Sequence, residues 1–128
     1  MPPLDREKIL KAEDRPTITV EVPQWGGSVT IKKLSAWQKD VLESFWRFDE
    51  AGKFITDSAK NDRARLACLS IVDDVGNPMF GIDDALVMAD KSADAVAVIA
   101  EAARVFNGLG NKDAALKNSP ETTGDSGS

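Results

Sequence analysis

Two pairs of adjacent carboxylates, Asp73-Asp74 and Asp83-Asp84, and one thiol, Cys68, are the side chains in this chain whose types suggest chemistry. Paired carboxylates suit a hard cation such as Mg²⁺ or Ca²⁺, which takes oxygen ligands. Their setting argues otherwise. The first pair stands where a helical pattern stops and the second where one starts, and the first lacks the alternating acidic spacing of a calcium loop. No histidine occurs in the 128 residues, which excludes Ser-His-Asp and Cys-His catalysis and histidine-ligated metals. Gly26-Gly27 is not followed by the Gly-Lys-Ser/Thr of a phosphate loop, and Gly-x-Gly-x-x-Gly is absent. Cys68 lies in an apolar run and reads as a packed thiol. The expectation is therefore a non-enzyme with no catalytic residue, no cofactor and no metal.

Composition points the same way, toward a protein that works through protein surface. A formal net charge of -5 disfavours a partner that must be met with Lys and Arg, so neither nucleic acid nor a membrane surface is expected. A lone cysteine forms no internal disulfide and fits a reducing compartment. No apolar run approaches the roughly 20 residues that cross a bilayer, and Met1-Pro2-Pro3-Leu4-Asp5 does not read as a signal peptide.

The elements that must carry such a surface can be read in order. Residues 1–16 suggest a short helix with one thin apolar edge, Leu4, Ile9 and Leu10, ended by Pro16. Residues 17–117 read as a single domain, and 118–128 as a disordered polar tail with no apolar residue. Within the domain, Thr17 to Val22 and Ser28 to Lys32 alternate polar and apolar about Gly26-Gly27, which predicts a hairpin. Ile18, Val20, Val22, Val29 and Ile31 share its apolar face, which must lie on helices or on another copy of the chain. Trp25 is expected to shape or shield the turn.

Ser35 is a good N-cap for a helix predicted over Ala36 to Phe48. Trp37, Val41, Phe45 and Phe48 make one stripe at helical spacing, and Leu42 with Trp46 makes a second about 100° round. Both stripes can be core, or Leu42 and Trp46 can face a partner. A central helix, capped by Asp57 or Ser58, is predicted to run apolar through Leu66 to Val72 until Gly76-Asn77-Pro78 stops the chain. A short helix over Ala85 to Ala89 and a long one over Ala93 to Asn107, capped by Ser92, complete the core, with a last turn over Lys112 to Lys117 capped by Asn111. The fold class is α+β, mainly α-helical, with an N-terminal β-hairpin packed on a small helical bundle.

Val22-Pro23-Gln24-Trp25-Gly26-Gly27, the Leu34-Ser35 lead into an aromatic helix, Arg65-Leu66 through Asp73, Gly76-Asn77-Pro78-Met79-Phe80, and Phe106-Asn107-Gly108-Leu109 follow one another in a recognisable order. In that order, across roughly Thr17 to Lys117, the chain resembles the tail assembly chaperones of long-tailed (siphovirus) bacteriophages. The resemblance implies a non-enzymatic assembly factor of the host cell cytoplasm that is absent from the mature virion. It implies binding to the tape measure protein, recruitment of the tail tube protein, and a homo-oligomer. It also implies a short, non-frameshifted product, Lys117-Asn118 being compatible with a slippery run of adenines. A structural virion protein of the tail tube or head-tail junction is the alternative, and a small bacterial adaptor a third reading. The positions expected to meet a partner or another copy are Trp25, Leu42, Trp46, Ile18 and Val20.

Overall fold

The hairpin forms as the alternation requires. In the computed structural model, which describes residues 1–109, β1 (Thr17–Val22) and β2 (Gly27–Lys32) pair antiparallel with Ile18 opposite Ile31 and Val20 opposite Val29. One turn of 3-10 helix, Pro23–Trp25, joins them, and Gly26 closes it at φ 69°, a left-handed conformation that only glycine adopts without cost. Before the hairpin, α1 (Arg6–Lys11) is capped by Asp5, whose carboxylate accepts from the Lys8 N–H, and none of its residues is buried.

The hairpin has a third strand that the sequence reading did not expect. The apolar run predicted to stay helical to Val72 breaks after Ser70: α3 spans Asp62–Ser70, and Ile71–Val72 become β3, paired antiparallel with Ile31 and Thr30 of β2. Two adjacent β-branched residues favour the extended chain, and the open edge of β2 supplies the backbone partners. The return is locked by Asp73, whose Oδ1 accepts from the N–H groups of Val75 and Asn77, while the Met79 N–H donates to the Ile71 carbonyl. The sheet order is β1-β2-β3, with β1 an edge strand and β3 covering the outer edge of β2 at Thr30 and Ile31.

Helices cover one face of this sheet. α2 (Ala36–Glu43) begins at Ser35 with a full capping box: Ser35 Oγ accepts from the Gln38 N–H, and Gln38 Oε1 accepts from the Ser35 N–H. It ends five residues before the predicted Phe48. Instead of continuing, residues 44–61 fold into a strap in which the Asp49 N–H donates to the Lys53 carbonyl, the Ile55 N–H to the Arg47 carbonyl, and the Arg47 N–H to Ser58 Oγ. Those bonds replace the helical ladder. Ser58 is thereby engaged in the strap and does not cap α3, whose N-cap is Asn61 at φ 67° with no side-chain bond.

α4 (Ala85–Ala89) and α5 (Ala93–Phe106, capped by Ser92) pack on α3, and α5 also lies across β1. Ala64 and Ala67 of α3 and Ala95, Ala100 and Ala103 of α5 are all buried, with Ile99 between them, so small side chains let the two helices approach closely. The described chain is α+β and mainly helical, with five helices and a three-stranded antiparallel sheet. The expected turn after Asn111 and the polar tail lie outside the described residues.

One side chain ties the two layers. Asn107, just past α5, accepts from the Leu34 N–H through Oδ1 (2.9 Å) and donates through Nδ2 to the Ala103 carbonyl (2.8 Å). Asn107→Ala strands the part-buried Leu34 donor and is expected to cost about 1–3 kcal/mol in a urea melt. Asn107→Asp, which keeps the acceptor, should recover part of that loss.

Candidate partner-binding surfaces

The groups with chemical potential are used for structure. Asp73 closes the β3 return and Asp84 accepts from the Gly81 N–H at 2.8 Å, so each acidic pair has a carboxylate committed to a turn. Among the described residues no cluster of three or more His, Cys, Asp or Glu is placed to hold a metal, and no helix is long and apolar enough to cross a membrane. Cys68 is fully buried in α3; burial, helped by the charge of Asp84, pushes its thiol up to about 11 from an ordinary 9.0.

That shift has a sign that can be measured. The unfolded chain releases this proton near 9.0 and the folded chain near 11, so the folded state binds more protons between those values. Its contribution to stability is complete below pH 9.0 and lost as pH rises to about 11. Cys68→Ala is expected to flatten that alkaline decline. The native thiol should also resist a disulfide-exchange reagent at pH 8 until denaturant is added, which rapid labelling of the native chain would contradict.

The structure divides the five expected contact positions. Trp25, 42% exposed at the hairpin turn, and Ile18, 38% exposed on the β1 edge, present surface. Val20 and Leu42 do not: both are buried in the core, Leu42 at 1% exposure, because α2 turns that side toward the sheet and α3. Both pack inside this chain, away from its surface. Trp46, itself part of the strap, is half-buried, its indole N–H donating to Asp62 at 3.0 Å and its ring edge-on to Phe54.

The exposed aromatics are those of the other stripe. Trp37 is 69% exposed and Phe48 58%, with Phe45 and Ile55 also above a third. Helical spacing defines both stripes equally and cannot say which one faces inward. Beneath this face Arg65, itself buried, stacks its guanidinium on the Phe45 ring at 4.0 Å and pairs with Asp62 at 3.7 Å. Burial pushes the Asp62 carboxyl above its ordinary value, against the opposing pulls of the Trp46 N–H and of Arg65. The strap is thus held to α3 by a charged and aromatic cluster that leaves Phe48 and Ile55 facing solvent.

A second apolar surface lies at the turn end of the sheet's helix-covered face. Val29, Ile71, Phe80 and Met88 form the walls of a groove of about 440 Å³, and Trp25, Met79 and Val87 stand at its exposed margin. Asp84 and Lys91 are its charged lining residues. The helix-lined antiparallel sheet that carries these surfaces is a small α+β fold.

This fold is similar to that of the bacteriophage HK97 tail assembly chaperone, with a TM-score of 0.55 over 79% of this chain and 96% of that one, at 17% sequence identity. No protein-family model matches the sequence, and no curated protein does.

Proposed function

We propose that this chain is a tail assembly chaperone of a long-tailed bacteriophage. In this reading it binds and solubilises the tape measure protein and helps recruit tail tube subunits. What carries the reading is the likeness of fold to the HK97 chaperone across nearly all of that protein. The exposed aromatic side chains supply what such a role needs physically. A tape measure helix presents a long apolar stripe, and Trp37, Phe45, Phe48 and Ile55 offer it apolar and aromatic area on a body of net charge -5 that keeps the pair dispersed.

The chaperone acts without catalysis, in the cytoplasm of the infected cell, in several copies per tape measure, and leaves before the virion is complete. A frameshift at Lys117-Asn118 would yield a second, longer product, and AAG at Lys117 would remove the adenine-rich slippery site. Co-expression with the product of the adjacent long coiled-coil gene tests the central claim. The tape measure should become soluble and co-purify with this chain; an insoluble tape measure beside abundant folded chaperone sinks the reading. Mass spectrometry of purified particles separates it from the structural alternative, for which the chain would be retained.

A further inference from the structure

The strap between α2 and α3 is folded against the preference of the sequence at both of its ends. At the first, Trp37, Val41, Phe45 and Phe48 keep helical spacing, yet α2 stops at Glu43. At the second, Asn61 belongs to the residue types that cap helices best, yet its side chain caps nothing. An N-cap residue ordinarily has extended dihedrals, whereas Asn61 stands at φ 67°, the one positive φ outside glycine among the described residues.

Little packing holds the chain in this form. No residue from 44 to 61 is buried, whereas every residue from 64 to 72 is. The two limbs of the strap meet through the Arg47 N–H on Ser58 Oγ, the Ile55 N–H on the Arg47 carbonyl, the Asp49 N–H on the Lys53 carbonyl, and the Phe54 ring edge-on to Trp46 and Phe48. Near the surface water replaces such hydrogen bonds, so a segment held by them opens at low cost. The anchor on α3 is incomplete as well. Arg65 reaches the Ser58 carbonyl only at 3.5 Å, and its buried Nε has no hydrogen-bond partner among the described residues.

Once those bonds are given up, the helix can continue. The Phe45 N–H already donates to the Leu42 carbonyl and the Trp46 N–H to the Glu43 carbonyl, a tightened turn just past α2. One further step transfers the Arg47 N–H to the Glu43 carbonyl and the Phe48 N–H to the Ser44 carbonyl. The Ser44 carbonyl is held at present by the Arg47 guanidinium at 2.9 Å, an exposed contact that can yield to a backbone donor. At about 100° per residue, Trp37, Val41, Phe45 and Phe48 then fall within roughly 80° of one another on one helix face, and Leu42 keeps its place in the core. Residues 49–60, released, reach roughly 40 Å, ample to return to α3, where Asn61 is free to take extended dihedrals and cap it.

We infer that the strap is a two-state switch: it lets go as one unit while the sheet and the other helices stay folded, residues 44–48 join α2, and the lengthened helix presents its aromatic residues as one stripe. Resting on the reading above, the occupant of that stripe is the apolar face of a tape measure helix, which binds the extended form more tightly and so shifts the chain toward it.

Hydrogen exchange read amide by amide on the full chain tests the switch with no partner present. The Asp49, Lys53 and Ile55 amides should open together, with protection at least a hundredfold below that of the Leu69 amide in α3. The Arg47 amide, bonded in both forms, should exchange at least tenfold more slowly than Ile55. Phe54→Ala removes both ring contacts and leaves the backbone bonds in place; it should speed the first three amides together by about tenfold and move the Cα shifts of residues 44–48 toward helical values, with a thermal melt verifying the fold. A lock tests the use of the switch. Phe48 and Phe54 stand opposite each other as antiparallel partners, a spacing that suits a disulfide, so Phe48→Cys with Phe54→Cys can be closed by oxidation. The oxidised chain should capture tape measure at least tenfold more weakly than the same chain reduced. Strap amides that exchange only when α3 does, an Arg47 amide as fast as Ile55, or equal capture by the oxidised and reduced chain overturns the inference. No capture by wild type beside the expected exchange pattern sinks the function and keeps the switch, and capture by a chain whose strap never opens apart from α3 does the reverse.

Discussion

Leu42→Ala is expected to destabilise the folded chain by about 2–5 kcal/mol, the range for removing a buried leucine whose cavity cannot close. Leu42 is 1% exposed and belongs to the main core, where α2 meets the rest of the fold. α2 is short, eight residues, and is fixed at one end by the Ser35 capping box and by Gln38, whose Nε2 donates to the Leu69 carbonyl. Its only fully buried apolar side chain is Leu42, so no second anchor on the helix compensates. At roughly 4–8 °C per kcal/mol for a domain of this size, the melting midpoint should fall by about 10 °C or more. The folded fraction should still capture tape measure normally. A change below about 1 kcal/mol in a urea melt, or selective loss of capture by a stable variant, would return Leu42 to the contact surface.

Trp37→Asp combined with Phe48→Asp should have the opposite signature, with the fold kept and the partner lost. Trp37 is the second residue of α2, where a carboxylate interacts favourably with the helix N-terminus, so aspartate there is neutral or slightly stabilising. Phe48 contributes an edge-on contact with Phe54, ring centroids 5.6 Å apart, worth about 0.5–1.5 kcal/mol. Against that modest cost, exposed aromatic anchors in protein interfaces commonly contribute about 2 kcal/mol or more each, and 1.4 kcal/mol is tenfold in affinity. Capture of the tape measure should therefore weaken at least tenfold, with like charge from two added carboxylates opposing any acidic partner. Full capture by the double variant would show that the stripe is not the contact.

Much of the architecture was legible because its signals are local. The Ser35 cap, the Ser92 cap, the alternation of Thr17 to Val22 and the turn at Gly26 each depend on residues within a few positions of one another, and each formed as read. The same locality accounts for the misreadings. Ile71 and Val72 continue an apolar helical run in sequence, and only the vacant edge of β2, some forty residues away along the chain, makes them a strand. The Phe45-to-Phe48 segment keeps helical spacing, and only the bonds of Arg47 to Ile55 and Ser58 pull it out of the helix.

What the amino-acid order determined by itself was the kind of protein this is: without histidine, acidic, rich in capped amphipathic segments, and furnished with more aromatic side chains on one short stretch than a small core needs to hide. Which of those side chains face out was decided by tertiary structure. Periodicity specifies that a helix has faces and leaves open which face meets the core, since that depends on where the sheet and α3 lie in space. The packing that buried Leu42 and left Trp37 in solvent exists only once the distant parts of the chain have come together.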